Sequence, residues 1–357
     1  YMSGNPSQDR LPRASNETAY VTLQDVATLA GVSIKTVSRV VNNQGEISEA
    51  TRQRVLAAID ELGYKPNVLA RSLVNRRTDT LAVVAWGIEY FGPSRVIVGV
   101  EQQADELGYS LILNLVSHPD EPNQERILDT LLARRVDGII WSVPQVGDNH
   151  NWLRAGLLER LPPIVFLSMQ SQPGLTITAV NNFSGARQAT QHLIDQGRRK
   201  IAIITGPTAW WEARERFAGW KSTMEEAGLT ASSSLIVESY WSAAGGERAM
   251  QQVLKQMPDI DAVFASSDQI ALGALGALHQ SGRRVPQDLA IVGFDNTPES
   301  AFYWPPLTTI YQKLVNVGHI AVQNLHQMIE ARRQQKGYLE PALTLIEPEL
   351  IVRASSK

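Results

Sequence analysis

The apolar positions near the N-terminus recur at helical spacing and predict three short helices. Thr22 and Asp25 have the spacing of a capping box, so the first helix is expected to start there. Gly31 would end it, because glycine readily adopts the left-handed conformation that a sharp turn requires. Ser33 and Ser48 would cap the second and third helices. The inward faces are expected to hold Leu23, Val26, Ala27, Ala30, Val37, Val40, Val41, Val55, Ala58, Ile59 and Leu62.

The second of these helices carries a polar face without an acidic residue. Arginine and lysine suit guanine edges and isoleucine suits a thymine methyl group, so Ile34, Lys35 and Arg39 are expected to read bases in the major groove. Hydroxyl and amide groups would position the helices on phosphates without reading sequence. These phosphate contacts are expected from Thr22, Ser38, Asn42, Ser48, Thr51 and Asn67. The alternative is a plain three-helix bundle with a solvated face.

Within residues 66–78 the sequence can form a helix of only about two turns, which is marginal alone in water. Arg71, Arg76 and Arg77 make the segment basic, so it is expected to order only against a partner. With DNA as that partner, Leu73 would act as an apolar wedge at a minor-groove step. The alternative is a flexible linker.

From Asp79 onward, near-continuous apolar strands alternate with helical stretches, which predicts parallel sheets covered on both faces. Leu81–Trp86 with its following helix faintly resembles Lys200–Thr205 with its helix, so two similar lobes are expected. The predicted fold is an α/β sensor of two doubly wound parallel-sheet lobes with an N-terminal all-α helix-turn-helix head. The strand candidates are Leu81–Trp86, Ser110–Leu115, Gly138–Trp141, Ile164–Leu167, Lys200–Thr205, Leu235–Val237, Ala262–Ala265 and Leu289–Gly293.

The carboxyl ends of these strands are the expected ligand site, because ligands of parallel α/β sheets bind there. Aromatic planes and scattered polar groups lie close together at these positions and suit a sugar, which has apolar ring faces and hydroxyl edges. The alternative for each tryptophan is that it packs in the hydrophobic core and does not contact a ligand. The candidates found in this way are Trp86, Phe91, His118, Trp141, Ser142, Ser168 and Ser267.

Several motifs resemble the LacI/GalR family of bacterial transcription regulators, and the resemblance runs from about Val21 to Arg353. They are Val21-Thr-Leu-x-Asp-Val-Ala, Gly31-Val-Ser-x-x-Thr-Val-Ser-Arg-Val-Val-Asn, Asp268-Gln-x-Ala-Leu-Gly-Ala, Val292-Gly-Phe-Asp and Pro305-Pro-Leu-Thr-Thr-Ile. The resemblance implies a DNA-binding head, a hinge helix, and a two-lobe sensor similar to periplasmic sugar-binding proteins. It also implies three chain crossings between the lobes, expected near Val180, Thr308 and Glu340.

The domain limits follow from these expectations. They are a disordered tail (1–19), the head (20–65), the hinge (66–78), a first lobe (79–180 and 308–340) and a second lobe (181–307 and 341–357).

The same resemblance implies roles for four residues of the cleft. Arg216 and Asp295 match the pair that holds sugar hydroxyls, Trp241 matches a stacking tryptophan, and Gln312 matches a glutamine at the cleft. An interlobe salt bridge is the alternative role for Arg216 and Asp295. Ser142, Ser168, Ser267 and His118 depart from the pattern of galactoside-binding members, so galactoside specificity is not carried over. A glucoside, a disaccharide or a plant-type oligosaccharide fits equally well.

The charge is unevenly distributed along the chain of 357 residues, whose formal net charge is −3. Residues 20–77 hold eight Lys/Arg and five Asp/Glu, or +3, whereas residues 78–357 hold 23 basic and 29 acidic side chains, or −6. A basic head on an acidic body suits a protein that touches DNA at one end. Cysteine is absent, which excludes disulfides and thiolate metal sites. The polar N-terminus resembles neither a signal peptide nor a membrane span, so a cytoplasmic protein without membrane contact is expected.

No motif of an enzyme is present. The six histidines lack metal-ligand spacing, and neither a nucleophile elbow nor a phosphate-binding loop occurs. Asp268 and Asp295 could imitate a glycosidase pair, but Asp268 begins a predicted helix, where capping is the simpler role. The sequence therefore predicts no catalysis, no metal and no cofactor beyond a small effector.

The predicted function is a homodimeric repressor that binds a near-palindromic DNA operator and is released from it by a sugar inducer. The dimer is expected because no leucine-heptad segment follows residues 347–353. Three alternatives remain open: a corepressor-dependent regulator, an activator of the same fold, and a stand-alone sugar-binding protein.

Overall fold

The computed structural model describes residues 21–42, 45–65, 77–120, 124–153, 155–335 and 339–357. The predicted tail and most of the predicted hinge, with Asn67 and Leu73, lie outside the described residues. The chain divides into two compact units, residues 1–77 and 78–357.

The first unit contains the three predicted helices, α1 (Leu23–Ala30), α2 (Ile34–Val41) and α3 (Glu49–Leu62). The Asp25 carboxylate accepts from the Thr22 backbone N–H, and the Thr22 hydroxyl oxygen accepts from the Asp25 N–H, which completes the capping box. Gly31 has φ +64° and ends α1 in the left-handed conformation. Ser33 and Ser48 accept hydrogen bonds from the first turns of α2 and α3. The predicted helix-turn-helix structure is confirmed.

The three helices close over a small apolar core. Its buried members are Val26, Ala27, Ala30, Val37, Val40, Val55, Ala58 and Tyr64. Leu23, Val41, Ile59 and Leu62, which are also expected to point inward, are partly buried at its edge. Because alanine and valine bury little area each, the helix caps contribute appreciably to the stability of this unit.

The second unit alternates strands and helices along its length. In chain order these are β1 (Thr80–Ala85), α4 (Phe91–Glu106), β2 (Ser110–Leu115), α5 (Gln124–Ala133), β3 (Gly138–Ser142), α6 (Ala155–Leu158), β4 (Ile164–Leu167), β5 (Thr176–Val180), α7 (Asn182–Asp195), β6 (Ile201–Thr205), α8 (Trp211–Glu226), β7 (Ile236–Glu238), α9 (Ala243–Gln256), β8 (Ala262–Ala265), α10 (Asp268–Gln280), β9 (Ala290–Asp295), β10 (Thr308–Tyr311), α11 (Leu314–Arg333), β11 (Leu343–Ile346) and β12 (Glu349–Ile351). Short 3₁₀ turns occupy Ser233–Leu235 and Pro298–Phe302.

The strands form two six-stranded sheets, one in each lobe. The first has the order β11-β5-β4-β3-β1-β2, and all of its pairs are parallel. The second has the order β12-β10-β9-β8-β6-β7, and only its edge pair β10–β12 is antiparallel. The central strands are buried on both faces, as their runs of valine, isoleucine and alanine require. The predicted two-lobe α/β architecture is confirmed.

The chain passes between the lobes three times, and two of the passages differ from the expected positions. The first follows β5 at Asn181, close to the expected Val180. Thr308–Tyr311 forms β10 of the second sheet, so the next passage follows Tyr311 instead of preceding Thr308. Leu343–Ile346 still pairs with β5 of the first sheet, which places the last passage after Ile346 instead of near Glu340. Both strands are only four residues long, so their sequences carry little periodic signal.

Glycines allow two pairs of helices to pack with their backbones in contact. A Cβ atom at Gly99 in α4 would lie 2.0 Å from the Val315 carbonyl oxygen of α11. A Cβ atom at Gly273 in α10 would lie 1.8 Å from the Ala243 carbonyl oxygen of α9. No side chain larger than hydrogen fits at either contact. Among the described residues, no helix is both long enough and apolar enough to cross a membrane.

Candidate functional site

A cavity of about 160 Å³ lies between the two lobes, at the carboxyl ends of the strands of both sheets. Its walls combine aromatic rings with a small set of charged and amide groups, which is the composition of a small-molecule site. The residues that line it are Trp86, Tyr90, Phe91, Gly92, Pro93, Val96, Ser142, Pro144, Leu167, Ser168, Val180, Asn182, Trp210, Glu212, Arg216, Trp241, Ser267, Gln269, Asp295, Gln312, Leu314 and Val317.

Arg216 is the buried cation of this cavity, on the second turn of α8. Its Nε donates to Asn182 Oδ1 at 2.8 Å, and its two terminal nitrogens donate to the Ser266 carbonyl and to Gln312 Oε1. The guanidinium carbon lies 3.8 Å from the centroid of the Phe294 ring. Burial lowers the pKa of Arg216, and nearby Asp295, Glu212 and Asp268 raise it. The guanidinium is therefore held rigidly, with its polar edge in the cavity.

Asp295 supplies the opposing charge at the end of β9. Its Oδ1 lies 4.0 Å from Arg216 Nη1 and accepts from the Gln312 amide. The residue has φ +130°, a backbone conformation that is costly for any side chain but glycine. Burial raises the pKa of Asp295, the charge of Arg216 lowers it, and Asp268 raises it further. A strained residue that holds a carboxylate at a cavity wall is typical of a binding site.

Asp268 supports Asp295 from behind and does not line the cavity. Its carboxylate accepts from the Thr309 hydroxyl and, at 2.8 Å, from the Thr297 backbone N–H. These bonds fasten the turn after β9 to the start of α10. Ser267, and not Asp268, caps that helix, because its Oγ accepts from the Ile270 N–H at 3.1 Å. The distinct environments of the two carboxylates fit support for one and ligand contact for the other.

Four aromatic rings, Tyr90, Trp86, Trp210 and Trp241, form one side of the cavity and are called the aromatic wall below. Ring centroids are 5.4 Å apart for Trp86 and Tyr90, 5.1 Å for Trp86 and Trp210, and 6.3 Å for Trp210 and Trp241. The Trp86 Nε1–H donates to the Ser117 carbonyl at 3.2 Å, which sets the orientation of that ring. Gly206 makes room for Trp241, since a Cβ atom there would lie 2.1 Å from its ring.

Glu212 lies one helical turn before Arg216 and lines the same cavity. Its Oε2 is buried without a hydrogen-bond partner in the described part of the chain. Burial raises the pKa of Glu212 to about 7, against the lowering effects of its own backbone N–H, Arg216, the Ser168 hydroxyl and Arg214. An unsatisfied carboxylate oxygen costs free energy unless a ligand or water donates to it. Glu212 is therefore a strong candidate for ligand contact.

A short strap joins the lobes beside the aromatic wall. The Trp211 backbone N–H of the second lobe donates to the Gln145 carbonyl of the first at 3.1 Å, and Val146 forms an isolated β-bridge with Trp210. The Gly147 N–H donates to the Ala209 carbonyl at 3.3 Å. Trp210 thus belongs both to the strap and to the aromatic wall, so a ligand against this ring also touches the contact between the lobes.

Most of the sequence-predicted effector residues come together in the cavity. They are Trp86, Phe91, Ser142, Ser168, Arg216, Trp241, Ser267, Asp295 and Gln312. Trp141 does not line the cavity, because successive side chains of β3 point to opposite faces and this one points into the core. There its ring centroid lies 4.8 Å from that of Trp152. His118 is exposed and does not line the cavity. The preceding residue, Ser117, accepts a hydrogen bond from the Trp86 indole through its backbone carbonyl.

Among the lining residues that were not predicted as effector contacts, five carry a polar or aromatic side chain: Tyr90, Asn182, Trp210, Glu212 and Gln269. Trp210 belongs to the aromatic cluster visible at the strand ends, and Glu212 lies only two residues beyond it. Asn182 was not predicted because it begins a helix of the second lobe, just after the first passage, and is not at the end of a strand of that lobe. Among the described residues, no group of histidine and acidic side chains could hold a metal ion.

The candidate DNA-reading surface lies on α2 of the first unit. Ile34, Lys35 and Arg39 are exposed on this helix, away from the buried Val37 and Val40. Ile34 is 44% exposed, so its side chain is accessible on this face.

The expected phosphate contacts also stabilise the head. Thr22 and Ser48 are N-caps, Thr51 accepts from Ser48, and the Asn42 amide donates to the Ser38 carbonyl at 2.8 Å. These side chains are therefore already oriented before any DNA binds.

Comparison with known proteins identifies the class. Residues 22–67 match the model of the bacterial regulatory proteins of the lacI family, and residues 190–356 match a periplasmic binding protein-like domain. The chain is 37% identical to the ribose operon repressor of Escherichia coli (strain K12) over 319 residues, which cover 88% of this chain and 95% of the relative. The chain belongs to the lacI family of bacterial regulatory proteins. It is a DNA-binding transcriptional repressor of the kind that a small-molecule effector regulates.

Two solved structures share this fold. The lac repressor dimer bound to operator and the anti-inducer ONPF is 32% identical, with a TM-score of 0.84, and the match covers 94% of this chain and 99% of that one. The complex of the transcriptional regulator CelR with cellobiose is 33% identical, with a TM-score of 0.69 and the same coverage.

Glu212→Gln is expected to stabilise the effector-free protein in a pH-dependent way. Because burial raises the pKa of the carboxyl to about 7, the folded state loses stability as pH rises from its ordinary pKa of 4.5 through 7. Removing the charge should raise the free energy of unfolding by about 1–3 kcal/mol at pH 8 and by much less at pH 5. Thermal denaturation at both pH values measures this. Glu225→Gln, on the exposed end of the same helix, is the control, and equal effects of the two variants would contradict the assignment.

Proposed function

We propose that the protein is a dimeric repressor whose affinity for its DNA operator falls when a saccharide occupies the interlobe cavity. The observation that carries this proposal is the position of Arg216, Asp295, Asn182 and Gln312 beside the aromatic wall in a cavity between two lobes. A repressor of this kind acts on DNA in the cytoplasm.

The chemistry of the cavity supports a saccharide. Arg216 offers donors and Asp295 offers acceptors about 4.0 Å apart, so the pair matches adjacent hydroxyl groups, which both donate and accept. The aromatic wall offers planes for the apolar faces of sugar rings. The relative that was solved with cellobiose supports the same ligand class. The Arg216–Asp295 contact does not exclude this role, because a ligand can bridge the two groups.

On the DNA side, we propose that Ile34, Lys35 and Arg39 read bases in the major groove. Thr22, Ser38, Asn42, Ser48 and Thr51 would fix the head on phosphates. The roles expected for Asn67 and Leu73 in the hinge stay predictions. Residues 20–65 and 66–78 remain our proposed limits for the head and the hinge.

Exposed apolar side chains of the second lobe support a homodimer, and we propose that they form its contact patch. Phe302 and Trp304 are 87% and 92% exposed in the loop after β9, and Leu272 is 39% exposed on α10. The bond from the Thr297 N–H to Asp268 holds that loop against the start of α10. Large aromatic side chains left in water are typical of protein–protein contacts. Two heads in a dimer would double the phosphate contacts of a module with a charge of only +3.

The proposed coupling uses the passages between the lobes. A ligand that engages Gln312 and Asn182 acts at two of the three passages, because these residues follow β10 and β5. A shift of the first lobe would then reach the hinge, which precedes β1 in the chain. The required difference in binding free energy is about 1–3 kcal/mol in typical allosteric proteins.

Asp295→Asn is expected to abolish the saccharide response. We would first select operator DNA from a random library, then titrate mono- and disaccharides while following tryptophan fluorescence and the gel shift of that operator. The effective saccharide should weaken DNA binding of the unchanged protein, and Asp295→Asn should raise its dissociation constant at least about tenfold. Asp259→Asn, an exposed aspartate of the same lobe, is the control. A saccharide that strengthens DNA binding would reverse the proposed sign.

Arg39→Ala is expected to weaken binding of the selected operator by about 1–3 kcal/mol and to relax specificity at one base pair of each half-site. Competition gel shifts with single-base operator variants measure both effects. Arg54→Ala, exposed on α3, removes the same charge without touching the reading face. If both variants lose affinity uniformly across all DNA sequences, Arg39 contacts phosphate and does not read a base.

Trp304→Arg combined with Phe302→Arg is expected to convert the dimer into monomers, because two charges would face each other across the paired patch. Light scattering of the full chain gives the mass directly. Tyr240→Arg changes another exposed aromatic of the same lobe and should leave the dimer intact. A tetramer of the unchanged protein, or a dimer that survives the double substitution, would refute this assignment.

A further inference from the structure

We propose that the first lobe carries a second effector site, which binds a monocarboxylate with an apolar body of about eight carbons. This site is separate from the interlobe cavity and lies at the opposite end of the first sheet. It requires a DNA-binding repressor but does not depend on the saccharide proposed for the cleft.

The site is a cavity of about 300 Å³ at the amino ends of β4 and β5. Ile164 and Thr176, the first residues of these strands, line it together with Met328 and Arg332 of α11. Its volume is nearly twice that of the interlobe cavity and reaches the lower limit of ordinary small-molecule sites. At about 30 Å³ for each water-sized group, the cavity has room for about ten non-hydrogen atoms.

The walls of this cavity are almost entirely apolar. Leucine, proline, isoleucine, phenylalanine and methionine side chains form them, and of the described residues that line it only Thr176, Arg332 and Gln335 carry a polar side chain. Water in an apolar cavity loses hydrogen bonds, so such a cavity stays dry or takes an apolar ligand. The composition therefore selects a hydrocarbon or aromatic body. It does not suit a saccharide, whose hydroxyl groups would be left unpaired.

Arg332 determines the charge of the ligand. Its Nη1 donates to the Leu161 carbonyl at 2.7 Å, so a residue of the cavity wall holds the guanidinium in place. The neighbouring Arg333 forms ion pairs with Asp137 and Glu330, whereas no carboxylate of the described chain pairs with Arg332. The full charge of Arg332 exceeds the partial negative charge at the end of α11, so the local field favours an anion. A carboxylate on an apolar body matches both this cation and the walls.

The end of α11 is also joined to the start of β1. The Arg333 Nη2 lies 3.3 Å from Asp137 Oδ2, and the Asp137 backbone N–H donates to the Thr80 carbonyl at 2.8 Å. The Thr78 hydroxyl donates to the Arg135 carbonyl at 2.8 Å. These residues directly follow the predicted hinge in the chain. A ligand that shifts the last turn of α11 would therefore act on the segment through which the head is attached.

The first test is a calorimetric titration of the full chain with straight-chain carboxylates from butanoate to decanoate. One molecule should bind to each chain, and the affinity should rise about fourfold for each added carbon up to about octanoate, because each methylene leaves water. Octanoate should bind about fivefold more tightly than 1-octanol, which lacks the charge. Arg332→Met keeps an unbranched side chain without the charge and should remove this difference. Arg160→Met, at an exposed arginine next to the lining residue Leu161, is the matched control.

The second test fills the cavity and follows DNA binding. Leu158→Trp, at a partly buried position of the wall, should lower the octanoate affinity at least about tenfold by occupying the space of the ligand. In gel shifts with the selected operator, octanoate should change the operator affinity of the unchanged protein at least about fivefold. It should not change that of Leu158→Trp.

Each other outcome would overturn the inference. If several molecules of octanoate bind to each chain, or if Leu158→Trp binds octanoate unchanged, the ligand does not occupy this cavity. If Arg216→Met removes octanoate binding and Leu158→Trp does not, the ligand lies in the interlobe cavity. If 1-octanol binds as tightly as octanoate, Arg332 does not select a carboxylate, and if octanoate binds without changing the operator affinity, the cavity is not an effector site. None of these results bears on the saccharide titration, and circular dichroism establishes that each variant is folded.

Discussion

The buried guanidinium of Arg216 is the constraint on which the arrangement of the sensor depends. An isolated charge in a protein interior costs several kcal/mol, so the surrounding chain must supply acceptors at fixed positions. Those acceptors come from Asn182 after β5, Ser266 after β8, Gln312 after β10, and Asp295 at the end of β9. The cation therefore ties two strand ends of the second lobe, those of β8 and β9, to two passages of the chain between lobes. A ligand that takes over part of this network acts on those passages.

Two buried carboxylates, one behind the cavity wall and one in it, differ in their hydrogen bonding. Asp268 is surrounded by donors and keeps the turn after β9 in place, whereas Glu212 has a buried oxygen without a donor in the described chain. Such a group lowers the stability of the empty protein and favours any ligand that satisfies it. The aromatic wall adds apolar contact area, which does not require hydrogen bonds from the ligand. In the proposed function, these groups would make binding depend on the number and placement of ligand hydroxyls.

Local patterns predicted the elements that carry strong periodicity or a cap. The capping box at Thr22, the turn at Gly31 and the buried central strands all lie where the sequence indicated them. The four-residue strands β10 and β11 were not predicted, because they are defined only by pairing with strands that are distant in sequence. The same limit applies to the site. Ser142 lies in the cavity while Trp141 beside it lies in the core, since successive residues of a strand face opposite sides.

By itself the sequence determined the helix-turn-helix head, the two-lobe α/β sensor and the family, because each depends on local spacing or on a motif. The resemblance to the family then pointed to Arg216, Asp295, Trp241 and Gln312, which line the cavity. Only the tertiary structure decided which strand-end residues meet. Trp86 and Trp210 are 124 residues apart in the chain, yet their rings lie 5.1 Å apart across the two lobes. The unsatisfied state of Glu212 likewise depends on every neighbour that does not donate to it. Burial and missing partners are properties of the assembled fold, so no local pattern encodes them.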